Sequence, residues 1–327
     1  MTIKITGTGS ALPERKVTNF DMAKLVETSD EWIRERTGIV ERKISTGETV
    51  ASLSAKACEL ALEQAGKKPE DVDMIIVATC SPELLLPCAA CQVQGIIGAK
   101  NAVAFDLSAA CSGFVFALCT VYAYMQSGLY RNALIVGAEV LSKLVDWDDR
   151  STCVLFGDGA GAAFVEASED KAEKSGIISM VQGSDGAKGM VLSCQGRKLT
   201  NAFMEEAVEA NEYIHMDGQE VYKFAVRQVP ACINDALEKA GLTVDDIDHF
   251  VLHQANIRII EAVAKRLKAD ISKFPVNLDR VANMSAATIP VLLDELNREG
   301  KLHKGDKIVL SGFGAGLTYG ACVLIWD

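Results

Sequence analysis

A chain of 327 residues with 49% hydrophobic and 24% charged side chains has the composition of a folded globular protein, which excludes intrinsic disorder. Its length points to two domains or one large fold made of two intimate halves. The 33 lysines and arginines against 44 aspartates and glutamates leave a net charge of −11 and a pI of about 5.0, a field that repels phosphate backbones and excludes general nucleic-acid binding.

The N-terminus, Met1-Thr2-Ile3-Lys4-Ile5, carries Lys4 inside its apolar run, so no signal-peptide core is expected. Leu62-Glu63-Gln64-Ala65-Gly66 ends an amphipathic helical stretch on glycine, Asp71-Val72-Asp73 is an acidic turn, and Met74-Ile75-Ile76-Val77 reads as a buried strand. Cys88-Ala89-Ala90-Cys91 is a lone CxxC. It has no second pair and no histidine before His215, so zinc is not expected. A redox pair is one reading; an ordinary helix start after Pro87 is the other. Cys58, Cys111, Cys119, Cys153, Cys232 and Cys322 lie in apolar or helix-forming runs, the usual setting of buried free cysteine. The usage fits a reducing cytoplasm.

Phe105-Asp106-Leu107-Ser108-Ala109-Ala110-Cys111 runs from a strand-like segment into small residues, and Phe114 to Met125 is apolar on nearly every face, as in a buried helix. That stretch is shorter than the ~20 residues that cross a bilayer, so no membrane segment is expected. Cys111 at the start of this helix would feel a dipole that favours the thiolate; from the residues alone it is either a nucleophile or an inert core thiol. Gly157-Asp158-Gly159-Ala160-Gly161 lacks nucleotide-loop spacing and reads as a tight turn allowing close backbone packing. Ala167 to Lys174 is polar and marks a boundary near 170.

In the second half, His253 follows the strand-like Val251-Leu252, a position where open α/β sheets present functional groups, although a satisfied structural histidine is the alternative. Asn283, in Val281-Ala282-Asn283-Met284, is turn chemistry or a ligand donor. Gly312-Phe313-Gly314-Ala315-Gly316 follows an apolar strand, and its N–H groups could form an oxyanion hole.

The chain also repeats itself. Leu62–Gly66 returns as Leu237-Glu238-Lys239-Ala240-Gly241, and Asp71–Val77 as Asp246-Ile247-Asp248-His249-Phe250-Val251-Leu252, both 175 positions later. Ser108-Ala109-Ala110-Cys111 matches Ser285-Ala286-Ala287-Thr288 at a spacing of 177, and Ala133–Gly137 matches Lys307–Ser311. Two such halves of alternating strands and helices predict mainly parallel sheets covered on both faces, packed across a pseudo-twofold with ligand sites between them. Under this repeat His253 replaces Ala78, and the Asn283 loop lies across from the loop leading to Cys111.

Taken together, Gly7-Thr8-Gly9-Ser10, Thr28-Ser29-Asp30-Glu31-Trp32-Ile33, Arg36-Thr37-Gly38-Ile39, Ala110-Cys111-Ser112-Gly113-Phe114, Phe156 to Ala162, His253-Gln254-Ala255-Asn256-Ile257-Arg258, and Asn283 with Ser285-Ala286-Ala287 make the chain resemble, end to end, the 3-oxoacyl-[acyl-carrier-protein] synthase III family. These are the initiating condensing enzymes of bacterial fatty-acid synthesis. The resemblance implies an α/β thiolase-like fold of five αβαβα layers from two duplicated halves, 1–170 with the nucleophilic cysteine and 171–327 with the histidine and asparagine. It implies a cytoplasmic homodimer without cofactor, using acyl-CoA and malonyl-acyl-carrier protein as substrates, with no nucleic-acid or membrane partner.

By the same resemblance Cys111, His253 and Asn283 are catalytic, His253 Nε2 and Asn283 NH2 being neutral donors to the malonyl thioester oxygen. The N–H groups of Cys111 and Ala315 form the oxyanion hole. Thr28, Trp32, Arg36, Arg150 and Asn256 contact coenzyme A, with adenine between Trp32 and Arg150. Leu86, from the other subunit, Met216 and Gly218 shape the acyl pocket, and Lys223, Arg227, Arg258, Lys265 and Arg266 dock carrier protein. One departure stands out: the family usually has glycine before the catalytic asparagine, and Ala282 there would cost ~1 kcal/mol if the backbone has φ > 0. Two alternatives stay open, a related thiolase-fold condensing enzyme or acyltransferase that primes a specialised-metabolite pathway, and a non-catalytic acyl-CoA or carrier-protein binding module.

Overall fold

The computed structural model describes residues 1–170, 175–204, 206 and 211–327; the boundary expected near 170 runs into 171–174, which lie outside the described residues. The helix signals of the sequence form as read. Thr49 and Ser52 make a reciprocal capping box at the start of Val50–Ala65, and Gly66 ends that helix in the left-handed region at φ 65°. Asp217 caps Gly218–Ala240, which ends the same way on Gly241 at φ 68°. Only a residue without Cβ takes that conformation freely, which is why both helices stop there.

Two main sheets carry the architecture. The first has the order Thr2–Ala11, Asp158–Ser168, Asn132–Val140, Met74–Ala78, Val103–Leu107. The second runs His249–Leu252, Lys307–Gly314, Thr318–Ile325, Gly176–Ser184. The expectation of mainly parallel sheets is corrected here. Met74–Ala78 is parallel to both of its neighbours and His249–Leu252 to Lys307–Gly314, but every other pairing in the two sheets is antiparallel. The reason lies in connectivity: Thr318–Ile325 returns directly after Lys307–Gly314, without a crossover helix.

The repeat is registered more tightly than the sequence matches indicate. Ile75 pairs with Leu134 and Phe250 with Val309, and Ala110 and Ser285 each open a three-residue 3-10 turn at positive φ, 45° and 46°. All of these pairs stand 175 residues apart, so the 177 spacing taken from Ser108 and Ser285 is corrected to Ala110 with Ser285. Gly157 to Gly161 is also not a turn: Asp158 opens a strand. A Cβ on Gly161 would meet Val291 N at 2.6 Å, so glycine serves close packing there and not a reversal.

The helices Gly113–Gln126 and Thr288–Arg298 touch both sheets and form a central layer. Val50–Ala65 and Ala89–Ile97 cover the outer face of the first sheet, and Gly218–Ala240 covers that of the second. Five layers, αβαβα, result. Phe114, Leu118, Ile289 and Leu292 from the central helices meet Ile76, Ile135, Val251 and Leu310 from the sheets in one buried core. The all-round apolar character of Phe114–Met125 is the consequence of lying between two sheets.

Candidate active site

Cys111 lies in the 3-10 turn Ala110–Ser112, between the strand Val103–Leu107 and the central helix Gly113–Gln126. Hydroxyls lock this turn to the second half of the chain. Ser112 Oγ lies 2.7 Å from Thr318 Oγ1 and 2.8 Å from Ala109 O, and Thr318 Oγ1 has Ala109 O and Ala315 O within reach of its one proton at 3.2 and 2.9 Å. Backbone packing is equally close, since a Cβ on Gly314 would sit 2.7 Å from Cys111 N. Glycine is required there for the Gly314–Ala315 strand end to lie against the cysteine.

Cys111 and Ala315 both border a cavity of about 580 Å³, whose apolar wall includes Leu141, Leu144, Phe156, Leu192 and Ile214. Cys111 itself is only 8% exposed. Burial pushes its thiol up to about 12, the nearby Ser285 hydroxyl works in the opposite direction, and the buried Glu139 carboxyl adds to the rise. Burial thus opposes the thiolate that the helix dipole favours, and the thiol lies in the turn before the helix proper. Nucleophilic attack therefore needs a base at the moment of reaction.

The second-half side chains converge on the turn Ser285–Ala287. Asn283 Oδ1 accepts from Ser285 N–H at 2.8 Å, which leaves its NH2 for a ligand. The backbone of Asn283 bonds Leu155 O and Gly157 N–H at 3.0 and 2.9 Å, straddling the cavity residue Phe156. Ala282 before it has φ 59° and ψ −161°, a region that is glycine territory. The departure noted in the sequence does carry strain, and the loop holds its course regardless. Ala282→Gly is expected to stabilise the fold by about 1 kcal/mol, seen as a higher urea midpoint at unchanged m-value; an unchanged or lower midpoint contradicts the assignment.

His253 is 2% exposed at the end of His249–Leu252. Its Nδ1 lies 2.7 Å from Thr288 Oγ1, and its ring meets Phe313 edge-on at 5.2 Å. Burial lowers its pKa to about 3, so the imidazole is neutral. His253 and Asn283 are not part of the cavity wall; they reach it through Ser285, which borders the cavity and bonds to Asn283 and Thr288. Sequence reasoning missed Thr288, Thr318, Phe313 and Glu139 as site residues. Thr288 and Phe313 stood inside quoted motifs, and no local signal marked Glu139.

Two family models match this chain, 3-oxoacyl-[acyl-carrier-protein (ACP)] synthase III over residues 105–186 and its C-terminal counterpart over residues 237–326. A beta-ketoacyl-[acyl-carrier-protein] synthase III of Clostridium acetobutylicum is 51% identical over 99% of this chain and 98% of its own. The synthase III structure from Aquifex aeolicus superposes with a TM-score of 0.93 at 44% identity, covering 99% of this chain and 100% of its own. The chain belongs to the beta-ketoacyl-[acyl-carrier-protein] synthase III family. Its five layers are the thiolase fold, and as a synthase III it is a condensing acyltransferase that initiates fatty-acid synthesis.

The remaining residues that the resemblance assigns in this synthase III fall in three places. Trp32, Arg36 and Arg150 form one cluster, with the two guanidinium carbons 4.8 and 5.1 Å from the indole centroid. Arg150 rests on the indole itself and donates to Glu27 O at 2.7 Å, so a base enters between them only when Arg150 moves outward. Thr28 lies beside this cluster with its buried hydroxyl unpartnered. Asn256 caps Ile257–Leu267 at Arg258 N–H and donates to Arg36 O at 3.0 Å, so it supports Arg36 and keeps its second amide N–H for a ligand.

Leu86, Met216 and Gly218 are absent from the cavity wall of their own chain. Leu86 is 86% exposed, Met216 packs against the outer core, and Gly218 starts a helix. Lys223, Arg227, Arg258, Lys265 and Arg266 are exposed on two packed helices, but Lys223 is paired with Glu220 at 2.8 Å. Among the described residues no cluster of three or more His, Cys, Asp or Glu could hold a metal ion, and no helix is long and apolar enough to cross a membrane.

Proposed function

We propose that Cys111 takes an acyl group from acyl-CoA and passes it to the carbanion formed when malonyl-acyl-carrier protein loses CO2, giving 3-oxoacyl-carrier protein. One observation carries this reading: the Cys111 turn is tied to both halves of the chain and borders an apolar cavity of about 580 Å³, and Asn283 and His253 bond to Ser285 and Thr288 of the segment that borders the same cavity through Ser285. In the first step the Cys111 sulfur attacks the thioester, the N–H groups of Cys111 and Ala315 receive the oxyanion, and CoA leaves as the thiol. In the second, Asn283 NH2 meets the charge that grows on the malonyl thioester oxygen, with His253 closing the other side. Storing the acyl group divides one hard condensation into two accessible steps.

The same reading divides the molecule at about residue 170, one half presenting Cys111 and the other His253 and Asn283. It assigns the Trp32 cluster with Thr28 to coenzyme A; stacking of a nucleotide base on indole and guanidinium supports that use. It makes the enzyme a homodimer. Support comes from the Val103–Leu107 strand, unpaired on its outer side among the described residues, and from the exposed apolar Leu84, Leu85, Leu86 and Ile96. Leu86, exposed on its own chain, is then available to a partner's pocket. Ten free cysteines fit a reducing cytoplasm.

For carrier-protein docking, Arg258 is the informative residue. A cation in the first turn of Ile257–Leu267 opposes the helix dipole, so helix stability does not account for it. Arg258→Glu is expected to lower kcat/KM for malonyl-carrier protein by about 10-fold or more and to leave acyl-CoA loading within about 2-fold; equal losses in both steps contradict docking. The reading as a whole is tested by CO2 release from malonyl-carrier protein, expected to be coupled to 3-oxoacyl product only when acyl-CoA is supplied. No product from any acyl-CoA overturns it.

A further inference from the structure

We propose that Glu139 decides which of two cavity thiols takes the acyl group: it holds Cys80 as a protonated, unreactive thiol and leaves Cys111 as the nucleophile. The inference rests on the function proposed above and starts from a cavity that offers acyl-CoA two sulfurs. Cys80 and Cys111 border the same space, and Cys80 is the more exposed of the two. Cys80 follows the strand Met74–Ala78, whose parallel neighbour Asn132–Val140 carries Glu139 near its end. Glu139 is 0% exposed. Its carboxyl receives the Ser81 hydroxyl at 2.6 Å, Cys80 N–H at 3.1 Å, the Thr79 hydroxyl at 3.2 Å and the Cys80 S–H at 3.3 Å. Ser81 Oγ in turn accepts Val140 N–H at 2.9 Å, so its own proton goes to the carboxyl. Such a ring of donors suits the ionised form, which only accepts.

A thiol that donates to a carboxylate is favoured over its thiolate, because ionisation would lose the bond and set two negative charges about 3.3 Å apart. Although Cys80 opens to the cavity, the surrounding protein desolvates its sulfur, and the Glu139 charge adds to that, so the thiol is raised well above its ordinary value. Cys111 is the other titratable group that faces it, and the Ser285 hydroxyl opposes the rise. Cys111 differs in its partners. There the Ser285 hydroxyl is the first group to oppose burial, and Glu139 acts through its charge without a hydrogen bond. Closeness of the two sites follows from Gly137, where a Cβ would meet Ala286 O at 2.0 Å, so the strand that carries Glu139 lies directly against the turn Ser285–Ala287. The thiolate is the attacking species; a thioester in the cavity therefore meets one reactive sulfur and one that is held back.

Alkylation by iodoacetamide, with Cys80 read by peptide mass spectrometry in the full-length Cys111→Ala chain, tests this without acyl chemistry. The Cys80 rate is expected to keep rising above about pH 9.5, beyond the ordinary thiol midpoint of about 8.5. Adding Glu139→Gln, close in shape but uncharged, is expected to raise Cys80 alkylation at neutral pH about 10-fold or more. With Cys111 intact, Glu139→Gln incubated with acetyl-CoA is expected to gain a second acetyl group on Cys80: its sulfur forms the new thioester, the carbon–sulfur bond to CoA breaks, and the thiol proton leaves on the CoA sulfur. A Cys80 midpoint at or below about 8.5 overturns the proposal whether or not Glu139→Gln folds. So does a Cys80 that reacts at no pH, since access alone then protects it. A folded glutamine variant that alkylates Cys80 at the native rate, or leaves it unacetylated, overturns it as well. Failure of the proposed function is separate, seen as a native enzyme that takes no acyl group while Cys80 alkylation follows the expected profile.

Discussion

Cys111→Ala is expected to end acyl transfer from acyl-CoA, lowering kcat for condensation by about 10⁴- to 10⁶-fold, the scale on which nucleophile removal acts in other covalent catalysts. Alanine is smaller than cysteine, so the fold persists: Ser112 and Thr318 still tie the turn to the second half. Asn283 keeps its bond to Ser285 N–H, so malonyl-carrier protein is expected to lose CO2 slowly without forming a carbon–carbon bond. The measurement is CO2 and 3-oxoacyl product counted side by side. Condensation within 10-fold of native contradicts the role given to the sulfur.

The second large effect acts without touching a reacting side chain. In Gly314→Ala the new Cβ would lie 2.7 Å from Cys111 N and 2.8 Å from Cys111 Cβ, separations that require the cysteine turn or the strand end to move. A shift of ~1 Å at a reacting group costs ~10²-fold in rate, and that loss is expected in acylation. Gly186→Ala, with open space at its Cβ, is the control and is expected to acylate at the native rate. Native acylation by Gly314→Ala would mean that the contact with Cys111 does not set the geometry of the site.

Much of this molecule is written locally. Gly66 and Gly241 stop their helices, Met74–Ala78 is buried along its whole length, and the apolar run Phe114 to Met125 finds the layer between two sheets. What the sequence hides is long-range. Strand direction is one such feature, because periodicity is the same for parallel and antiparallel strands; the returning strand Thr318–Ile325 therefore gives no sign of its pairing. Glycines in Gly157–Gly161 look like turn residues when the partner that needs their small size, Val291, is far along the chain.

The site divides in the same way. Cys111, His253 and Asn283 were legible as residue types at strand and helix ends, and the resemblance added their company. The burial of Cys111 was not, since residues distant along the chain, among them Leu141 and Phe156, line the same cavity. Nor was the use of Asn256, whose two bonds fall on Arg36 and Arg258. Thr288 was visible only as the last residue of a repeat match. Its bond to His253 depends on two halves meeting, and no spacing along the chain encodes that meeting.

The central claim is that one sulfur, Cys111, accepts the acyl group. Intact-mass and peptide mass spectrometry after incubation with acetyl-CoA tests it most directly. The account predicts a single acetyl adduct per chain, mapped to the peptide containing Cys111, present in the native enzyme and absent in Cys111→Ala. An unmodified native chain, or an adduct on Cys80 or another cysteine that survives Cys111→Ala, would contradict it.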